Sequence, residues 1–431
     1  MTSPSKTSFM QKTAPLSEAL PWLEDAPKSS APAWVEALRE TGAEVFAQTG
    51  LPTPKWEGWQ YTSLRPLQDR RYRPAAAANT DLPAPLIENT PRMVVVNGHF
   101  MSELSTLPDG VAVRPFLDAA ADESLLETVS GPGDFAAEPF RALNAAHTDG
   151  GFVLDVPKGA DIAEPIEILF HTTGDGTAAY PRVLYRLGEN AGLTVVERYT
   201  GQGAYLMNGV TDIVLKPSAR FRHYRMMQED MAAHHISHTR VLQEKSSQFE
   251  GFSLATGARL ARQDYQMRLL DSVINAGISG LYMLKDQQNH DFTIQADHFA
   301  PDGKSAQFFK GVADAKSRAV FQGKIQVRRP AQGTDGHQSH HALLLSPEAE
   351  ASAKPELEIY ADDVKCAHGA TTGQLDANAL FYMQSRGIPR AEAHEMLIGS
   401  FIDEVFEQVT FAPMRDILRA EADKWLKERN G

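Results

Sequence analysis

Between residues 151 and 372, short segments of alternating apolar and polar residues follow one another, and no segment of helical periodicity interrupts them. Glycine, asparagine or aspartate often stands between two segments, which is typical of turns between β-strands. In one such segment Arg262 and Asp264 share one phase of the alternation, and Tyr265 and Met267 share the other. The predicted strands are residues 151–156, 166–171, 183–187, 193–199, 211–215, 221–227, 236–242, 247–254, 262–270, 273–282, 291–298, 306–312, 319–327 and 356–360.

More than a dozen strands in roughly 220 residues, with no helices between them, restrict this region to a β-sandwich, a barrel or a β-solenoid. The number is large for one sandwich, whereas a solenoid accommodates it by adding coils that each cover the edge of the previous one. No strict sequence period is present, so the coils of a solenoid would be irregular. From the pattern alone, the three architectures stay open.

The flanking regions have a different pattern. Residues 1–15 read as a polar tail, residues 16–50 contain a predicted helix, and a strand at 93–96 and helices at 116–129 and 139–147 follow. After Gly373, two amphipathic helices are predicted, with apolar stripes at 391–409 and 414–426. These stripes either pack onto the end of the β-region or form a docking surface for another subunit. The predicted domains are residues 1–150, helical and α/β; 151–372, the β-core; and 373–431, helical.

The charge balance argues against a nucleic-acid partner. The 431 residues include 42 lysines and arginines and 55 aspartates and glutamates, and the formal charge of −13 repels a phosphate backbone. No stretch approaches the ~20 apolar residues of a membrane span, and the N-terminus lacks the apolar core of a secretory signal. We therefore expect a soluble cytoplasmic protein without membrane contact. No Gly-x-x-x-x-Gly-Lys-Ser/Thr motif occurs, so we expect no ATP bound through a P-loop.

The single cysteine, Cys366, stands two residues before His368. If this segment is extended, both side chains project from the same face of the strand. A thiol and an imidazole together suit iron or zinc. The alternative is a small buried cysteine with an incidental histidine beside it. One cysteine excludes an intramolecular disulfide and a cysteine cage for zinc.

Further histidines occur in two groups. The first group is His234, His235 and His238; the second is His337, His340 and His341; and His290 and His298 lie between them. Neither group contains a His-Glu-x-x-His motif or a companion pair of cysteines. We interpret them as polar histidines in loops at strand edges, and a metal site built from them is the alternative.

Residues 354–373 read Lys-Pro-Glu-Leu-Glu-Ile-Tyr-Ala-Asp-Asp-Val-Lys-Cys-Ala-His-Gly-Ala-Thr-Thr-Gly, and this segment closely resembles the SufB/SufD family of the SUF iron–sulfur cluster assembly system. The resemblance continues through Phe-Tyr-Met-Gln-Ser-Arg-Gly-Ile at 381–388 and the helix at 391–401. Glu-Gly-Trp-Gln-Tyr-Thr-Ser-Leu at 57–64 is similar to the N-terminal aromatic motif of the family. The approach to Cys366 and the single cysteine resemble the SufD members, because SufB members are longer and contain additional cysteines.

This resemblance implies a mainly β fold with helical ends: a right-handed parallel β-helix core between an N-terminal helical or α/β region and a C-terminal helical domain. It also implies a non-catalytic scaffold subunit that pairs with its paralogue SufB through the β-helices. The C-terminal helical domain would bind the ATPase SufC, with Arg386, Ile388, Leu397 and Phe401 as candidate contacts. A homodimer of the isolated chain and an associated flavin are left open.

By the same resemblance, Cys366 and His368 lie near the SufB interface and take part in assembling a transient iron–sulfur cluster shared with SufB. Such clusters are usually held by about four protein ligands, mostly thiolates. One cysteine is too few, so SufB would supply the rest. Two other functions are a β-helix enzyme that processes polysaccharides and a metal-binding protein that uses the histidine groups. The enzyme predicts a secretory signal and paired carboxylates, neither of which is evident in the sequence.

Overall fold

The structure, a computed structural model, describes residues 21–27, 29–68, 70–78, 80–129, 135 and 138–429. The polar tail predicted at residues 1–15 lies outside the described residues. Within the described part, no helix is both long and apolar enough to span a bilayer.

The chain is mainly β, with helices before and after a long run of strands. The helices are α1 Ala33–Thr49, α2 Arg65–Gln68, α3 Phe116–Ala119, α4 Pro139–Ala146, α5 Ala377–Ser385, α6 Arg390–Phe406 and α7 Ala412–Arg429, with 3-10 turns at Ser102–Leu104 and Glu123–Glu127. The first strands are β1 Arg73–Pro74, β2 Arg92–Val96, β3 His99–Phe100, β4 Ala112–Pro115, β5 Gly150–Val156, β6 Ile166–Thr173, β7 Thr177–Ala179, β8 Pro181–Leu187, β9 Gly192–Gln202 and β10 Leu206–Leu215. The remaining strands are β11 Arg220–Met227, β12 His234–Gln243, β13 Gln248–Ala255, β14 Leu260–Leu269, β15 Asn275–Leu284, β16 Asn289–His298, β17 Lys304–Ala313, β18 Arg318–Val327, β19 Thr334–Leu344, β20 Glu350–Ile359 and β21 Val364–Gln374.

These strands form a parallel β-solenoid of about eight turns. From β8 onward each even-numbered strand pairs in parallel with the next even-numbered strand, and from β9 each odd-numbered strand pairs with the next odd-numbered one. The chain therefore alternates between two sheets, which we call the even sheet and the odd sheet. One strand of each makes a coil. The strand pattern left a solenoid open beside a sandwich and a barrel, and the family resemblance implied the solenoid, which is confirmed.

The space between the two sheets is the main core. Inward-facing residues stack on the equivalent residues of the next coil, so that Phe292 of β16 lies beside Phe321 of β18 in the ladder. A charged group is buried in this core as well. Glu197 is fully buried and accepts hydrogen bonds from Arg225 at 2.9 Å and Tyr185 at 2.8 Å. Burial alone would raise the pKa of Glu197, but His223 and Arg225 hold it well below its ordinary value.

Tight corners let the strands follow one another with few intervening residues. Five corner residues adopt positive φ, and each donates its backbone N–H to a carbonyl of the next coil; they are Asn190, Ser218, Ser246, Val273 and Asp302. These bonds run from 2.9 to 3.2 Å. Asparagine and aspartate tolerate this conformation, whereas a β-branched valine is strained in it. The corners thus continue the hydrogen-bond ladder of the sheets around the bend.

The N-terminal region covers the outer face of the even sheet. Helix α1 packs on α4, and a second apolar cluster joins these helices to outward-facing residues of β10, β12 and β14. The aromatic segment at 57–64 fastens this region to the solenoid. The Arg262 guanidinium lies 4.0 Å from the centre of the Trp59 ring and donates to the carbonyl oxygen of Gly58 at 2.6 Å.

The C-terminal helices α6 and α7 cover the outer face of the odd sheet. Their apolar stripes pack on outward-facing residues of β9 to β19, such as Tyr224 and Leu281. Lys310 of β17 is buried beneath α6 and donates to the Phe401 carbonyl oxygen at 2.7 Å and to Glu404 at 2.5 Å. The stripes therefore pack on the side of the solenoid, not on its end, because the odd strands are apolar on both faces.

Close stacking of the coils generates a testable prediction at Gly311. A Cβ atom there would overlap the ring of Tyr282, whereas nothing lies within 4 Å of a Cβ added at Gly369 of β21. We expect Gly311→Ala to lower the free energy of unfolding by about 1–3 kcal/mol, the usual cost of overpacking. Urea denaturation measures this change. Gly369→Ala is the matched control and should stay close to the parent chain; equal stabilities for the two variants would contradict the stacking.

Candidate functional site

The last coil leaves two open sheet edges. Among the described strands, β20 has one ladder neighbour, β18, and β21 has one, β19. Strand β21 is exposed along almost its entire length, from Ala367 to Gln374. At the other end of the solenoid, β2 pairs with both β3 and β6. The open edges present unpaired backbone N–H and C=O groups, which is the form of a surface that pairs with another strand.

Cys366 lies on β21 and faces the space between the two sheets. Its ladder neighbour is Gly336 of β19, and its sulfur packs beside the position that a Cβ of Gly336 would occupy, at 3.5 Å. The side chain is half-buried and contacts the rim of the solenoid core. Burial raises the pKa of the Cys366 thiol, and the nearby Asp335 carboxylate adds to this effect. The environment of Cys366 in this chain therefore favours the protonated thiol over the thiolate.

His368 lies two residues further along the same strand and on the same face as Cys366, as the alternation predicted. It is exposed, and its ladder neighbour on β19 is the buried Gln338. Lys365 and Ala367 belong to the opposite face. The described residues contain no group of three or more histidine, cysteine, aspartate or glutamate side chains arranged to hold a metal ion.

The four candidate contacts for the ATPase lie at the C-terminal helices, but they differ in environment. Arg386 is exposed and its guanidinium stands 5.2 Å from the centre of the Tyr382 ring. Ile388 and Leu397 are half-buried. Phe401 is also half-buried, and its ring lies 4.7 Å from the Lys310 ammonium. These residues share a region of the molecule, and their role in binding stays a prediction.

Sequence reasoning missed the most exposed apolar side chains of this region. Phe381 and Tyr382 of α5 are 72% and 60% exposed, and Met396 of α6 is 51% exposed. Helix α5 has no buried residue although it contains four consecutive apolar residues, 380–383. The signal was present in the sequence, because a short apolar helix between a polar strand and an amphipathic helix has no evident partner within the chain.

Our interpretation of the two histidine groups as loop residues was wrong. Most of them lie on strands and are buried; these are His234, His235, His238, His290, His298 and His340. They make specific hydrogen bonds, such as His340 with the Tyr282 hydroxyl at 3.0 Å. His337 is the exposed exception and pairs with Asp335 at 2.8 Å. The buried members belong to the packed interior of the protein.

The burial of these histidines predicts loss of stability in acid. Burial lowers the pKa of His234, His290, His298 and His340 to about 4. An unfolded chain titrates near pH 6.5, so it binds more protons than the folded chain between pH 6.5 and 4. The free energy of unfolding should therefore decrease as the pH falls through this window, by up to about 1.4 kcal/mol per pH unit for each histidine.

Urea denaturation between pH 7.5 and 5 measures this dependence. His290→Gln should make the slope shallower, because the variant loses one proton-binding group. His337→Gln is the matched substitution at an exposed position, and we expect its slope to change less than that of His290→Gln. A slope that is the same in all three proteins would contradict the assignment.

Two family descriptions match the chain. Residues 170–401 match the family described as "SUF system FeS cluster assembly, SufBD core domain", and residues 23–168 match "SufBD protein N-terminal region". Together they span the solenoid and the N-terminal region. The core match ends within α6.

Curated relatives agree with these matches. The chain is 32% identical to an iron–sulfur cluster assembly SufBD family protein of Synechocystis, over 88% of this chain and 89% of the relative. It is 32% identical to the chloroplastic protein ABCI7 of Arabidopsis thaliana, over 92% and 87%. It is 29% identical to the iron–sulfur cluster assembly protein SufD of Escherichia coli, over 84% and 86%. The chain therefore belongs to the SufBD family of the SUF iron–sulfur cluster assembly system.

Proposed function

We propose that this chain is a non-catalytic scaffold subunit of SUF iron–sulfur cluster assembly that pairs with a SufB paralogue at its last coil. Cys366 and His368 would contribute to a transient cluster shared across that seam. The C-terminal helices would bind the ATPase SufC. The observation that carries the proposal is the position of the Cys366–His368 pair on the strand whose outer edge is open.

The open edge supports pairing with a second solenoid. A partner with the same fold, seated with its last coil against this one, would add an antiparallel strand beside β20 and another beside β21 and satisfy their backbone groups. Its own last coil would then face Cys366 and His368. Thiolates and imidazoles from two chains could together reach the set of about four ligands that a cluster needs.

The state of Cys366 supports a site that is completed only in the complex. A thiol with a raised pKa is a weak nucleophile and a weak ligand, because the thiolate is the reactive form. Iron, or a cationic group of the partner, would favour the thiolate and release the proton. Cys366 would therefore become a ligand when the partner or the metal arrives.

The position of α5 supports a coupling between the ATPase and the seam. Strand β21 ends at Gln374 and α5 begins at Ala377, so a displacement of this helix acts directly on the strand that carries Cys366. Binding of SufC to α5 and α6 in two nucleotide states would shift β21 only if the two states differ in contact free energy with these helices.

The cluster site is tested in the complex of this chain with SufB and SufC. We expect Cys366→Ser and His368→Ala each to reduce the bound iron and the visible absorption of the cluster at least tenfold, because each removes a ligand or its support. His337→Ala is the matched control, since it removes an exposed histidine from the adjacent strand. Full cluster formation in both site variants would refute the assignment, and retained SufC binding would separate a site defect from misfolding.

The ATPase contact is tested at α5. We expect Phe381→Asp to weaken association with SufC at least tenfold, because a charge would replace the most exposed large apolar side chain of the C-terminal helices. Titration of labelled SufC with the full chain measures the affinity. Leu270→Asp changes an apolar residue of similar chemistry, 40% exposed, at a corner of the solenoid and should bind normally. Unaltered affinity of Phe381→Asp would exclude α5 from the contact.

A further inference from the structure

Three polar side chains form a row across the outer face of the odd sheet, and the row ends at the open edge. Lys310 of β17, His341 of β19 and Thr371 of β21 are register partners in the parallel ladder, and we call them the polar row. They lie on the face that α6 and α7 cover, because Leu281, the register partner of Lys310 on β15, belongs to the apolar cluster beneath these helices. The polar row therefore extends from beneath α6 to the strand that carries Cys366.

The first member of the polar row, Lys310, is held by α6. Among the described residues, both of its hydrogen-bond acceptors belong to that helix: the Phe401 carbonyl oxygen at 2.7 Å and the Glu404 carboxylate at 2.5 Å. Lys310 is buried, and a buried ammonium without acceptors is strongly destabilising. Glu404 is exposed, and its hydrogen bond with the ammonium lowers the pKa of its carboxyl. A displacement of α6 would therefore leave Lys310 in need of another acceptor.

The second member, His341, uses both of its ring nitrogens. Nδ1 lies 2.7 Å from the Thr371 hydroxyl oxygen, and Nε2 lies 2.9 Å from the Ser339 hydroxyl oxygen. Burial and the Lys310 ammonium lower the pKa of His341, whereas the Glu404 carboxylate raises it. The imidazole is therefore neutral near pH 7 and has one donor and one acceptor nitrogen. The acceptor nitrogen belongs to the strand beside Lys310, and it is an atom to which a displaced ammonium can donate.

We propose that His341 is a positioning residue that couples the position of α6 to the open strand β21. While α6 accepts from Lys310, the imidazole is bonded to Thr371 and holds β21 against β19. When α6 moves away, the Lys310 ammonium donates to the acceptor nitrogen of the imidazole, and the ring reorients and releases Thr371. The polar row thus has two arrangements, and the position of the helix determines which of them has the lower free energy.

This inference rests on the proposed function, in which α6 contributes to the ATPase contact and β21 carries Cys366 and His368. Thr371 follows His368 by three residues on the same strand, so its release loosens the strand next to the proposed cluster site. Among the described strands, β21 has its ladder partner on one side alone, so its position depends strongly on its bonds to β19. The ATPase would therefore regulate how firmly the site is held for a second subunit.

Hydrogen–deuterium exchange of the full chain alone tests the coupling without SufB or SufC. Mass spectrometry measures the exchange of peptides that cover residues 364–374, the span of β21. Glu404→Ala removes the charged acceptor of Lys310, and we expect the exchange of this segment to become at least threefold faster. Asp403→Ala is the matched control, because Asp403 of the same helix pairs with Arg419 of α7. Its exchange at 364–374 should equal that of the parent chain.

Double variants test whether the coupling passes through His341. His341→Phe keeps a ring but removes its hydrogen bonds, so we expect faster exchange at 364–374 and no further increase when Glu404→Ala is added. Thr371→Val removes the hydroxyl at an exposed position and should behave in the same way, so the test does not depend on the folding of His341→Phe. An equal acceleration by Glu404→Ala in the presence and absence of the imidazole would overturn the role of His341. Unchanged exchange at 364–374 in Glu404→Ala, or an equal acceleration in all strands, would overturn the coupling.

The complex with SufB and SufC separates this inference from the proposed function. We expect His341→Phe to retain SufC binding and ATP hydrolysis but to reduce ATP-dependent cluster formation at least fivefold. Full cluster formation by this variant would overturn the regulatory role of the polar row. If the parent complex forms no cluster, the proposed function fails, and the exchange of the chain alone still decides whether α6 and β21 are coupled.

Discussion

The parallel hydrogen-bond ladder between coils is the constraint on which the rest of the structure depends. It forces each side chain to lie beside its equivalent in the next coil, which produces the stacked aromatic core and excludes a side chain at Gly311. The ladder must also stop at each end of the solenoid. At the first strands, β3 and β4 cover the ladder, whereas at β20 and β21 it stays open among the described strands. The seam proposed for a second subunit lies at this end of the fold, where backbone N–H and C=O groups have no partner among the described strands.

Much of the solenoid could be predicted because alternation over short segments is visible in the sequence. The strand predicted at 262–270 is β14, Leu260–Leu269. Strand β19 was missed because its inward-facing positions are polar: Gln338 and His340 replace the apolar residues that mark a strand. The helix predicted at 116–129 is two shorter elements, since the Asp122 side chain accepts from the Ser124 backbone N–H and starts a new turn.

The candidate site was predictable in part. A period of two residues sufficed to place Cys366 and His368 on one face. The direction of that face was not predictable, because it depends on which sheet the strand joins and on its neighbour Gly336. The burial of the histidines was also not predictable from the sequence. Histidine is a common metal ligand, so the residue type alone favours a metal site, and only the packing of β12, β16 and β19 shows that most of these rings are buried.

The attachment of the aromatic segment at 57–64 has a mechanical consequence. The carbonyl oxygen of Gly58 accepts from Arg262 on β14 and from Gln322 on β18, and Thr62 bonds to Asp291 on β16. Hydrogen bonds from this one segment therefore hold three successive coils together on the outer face of the even sheet. Stretching the solenoid along its axis would have to break these ties before β14, β16 and β18 could separate. A displacement of α5, which follows β21 directly, would instead act on the terminal coil, which these hydrogen bonds do not reach.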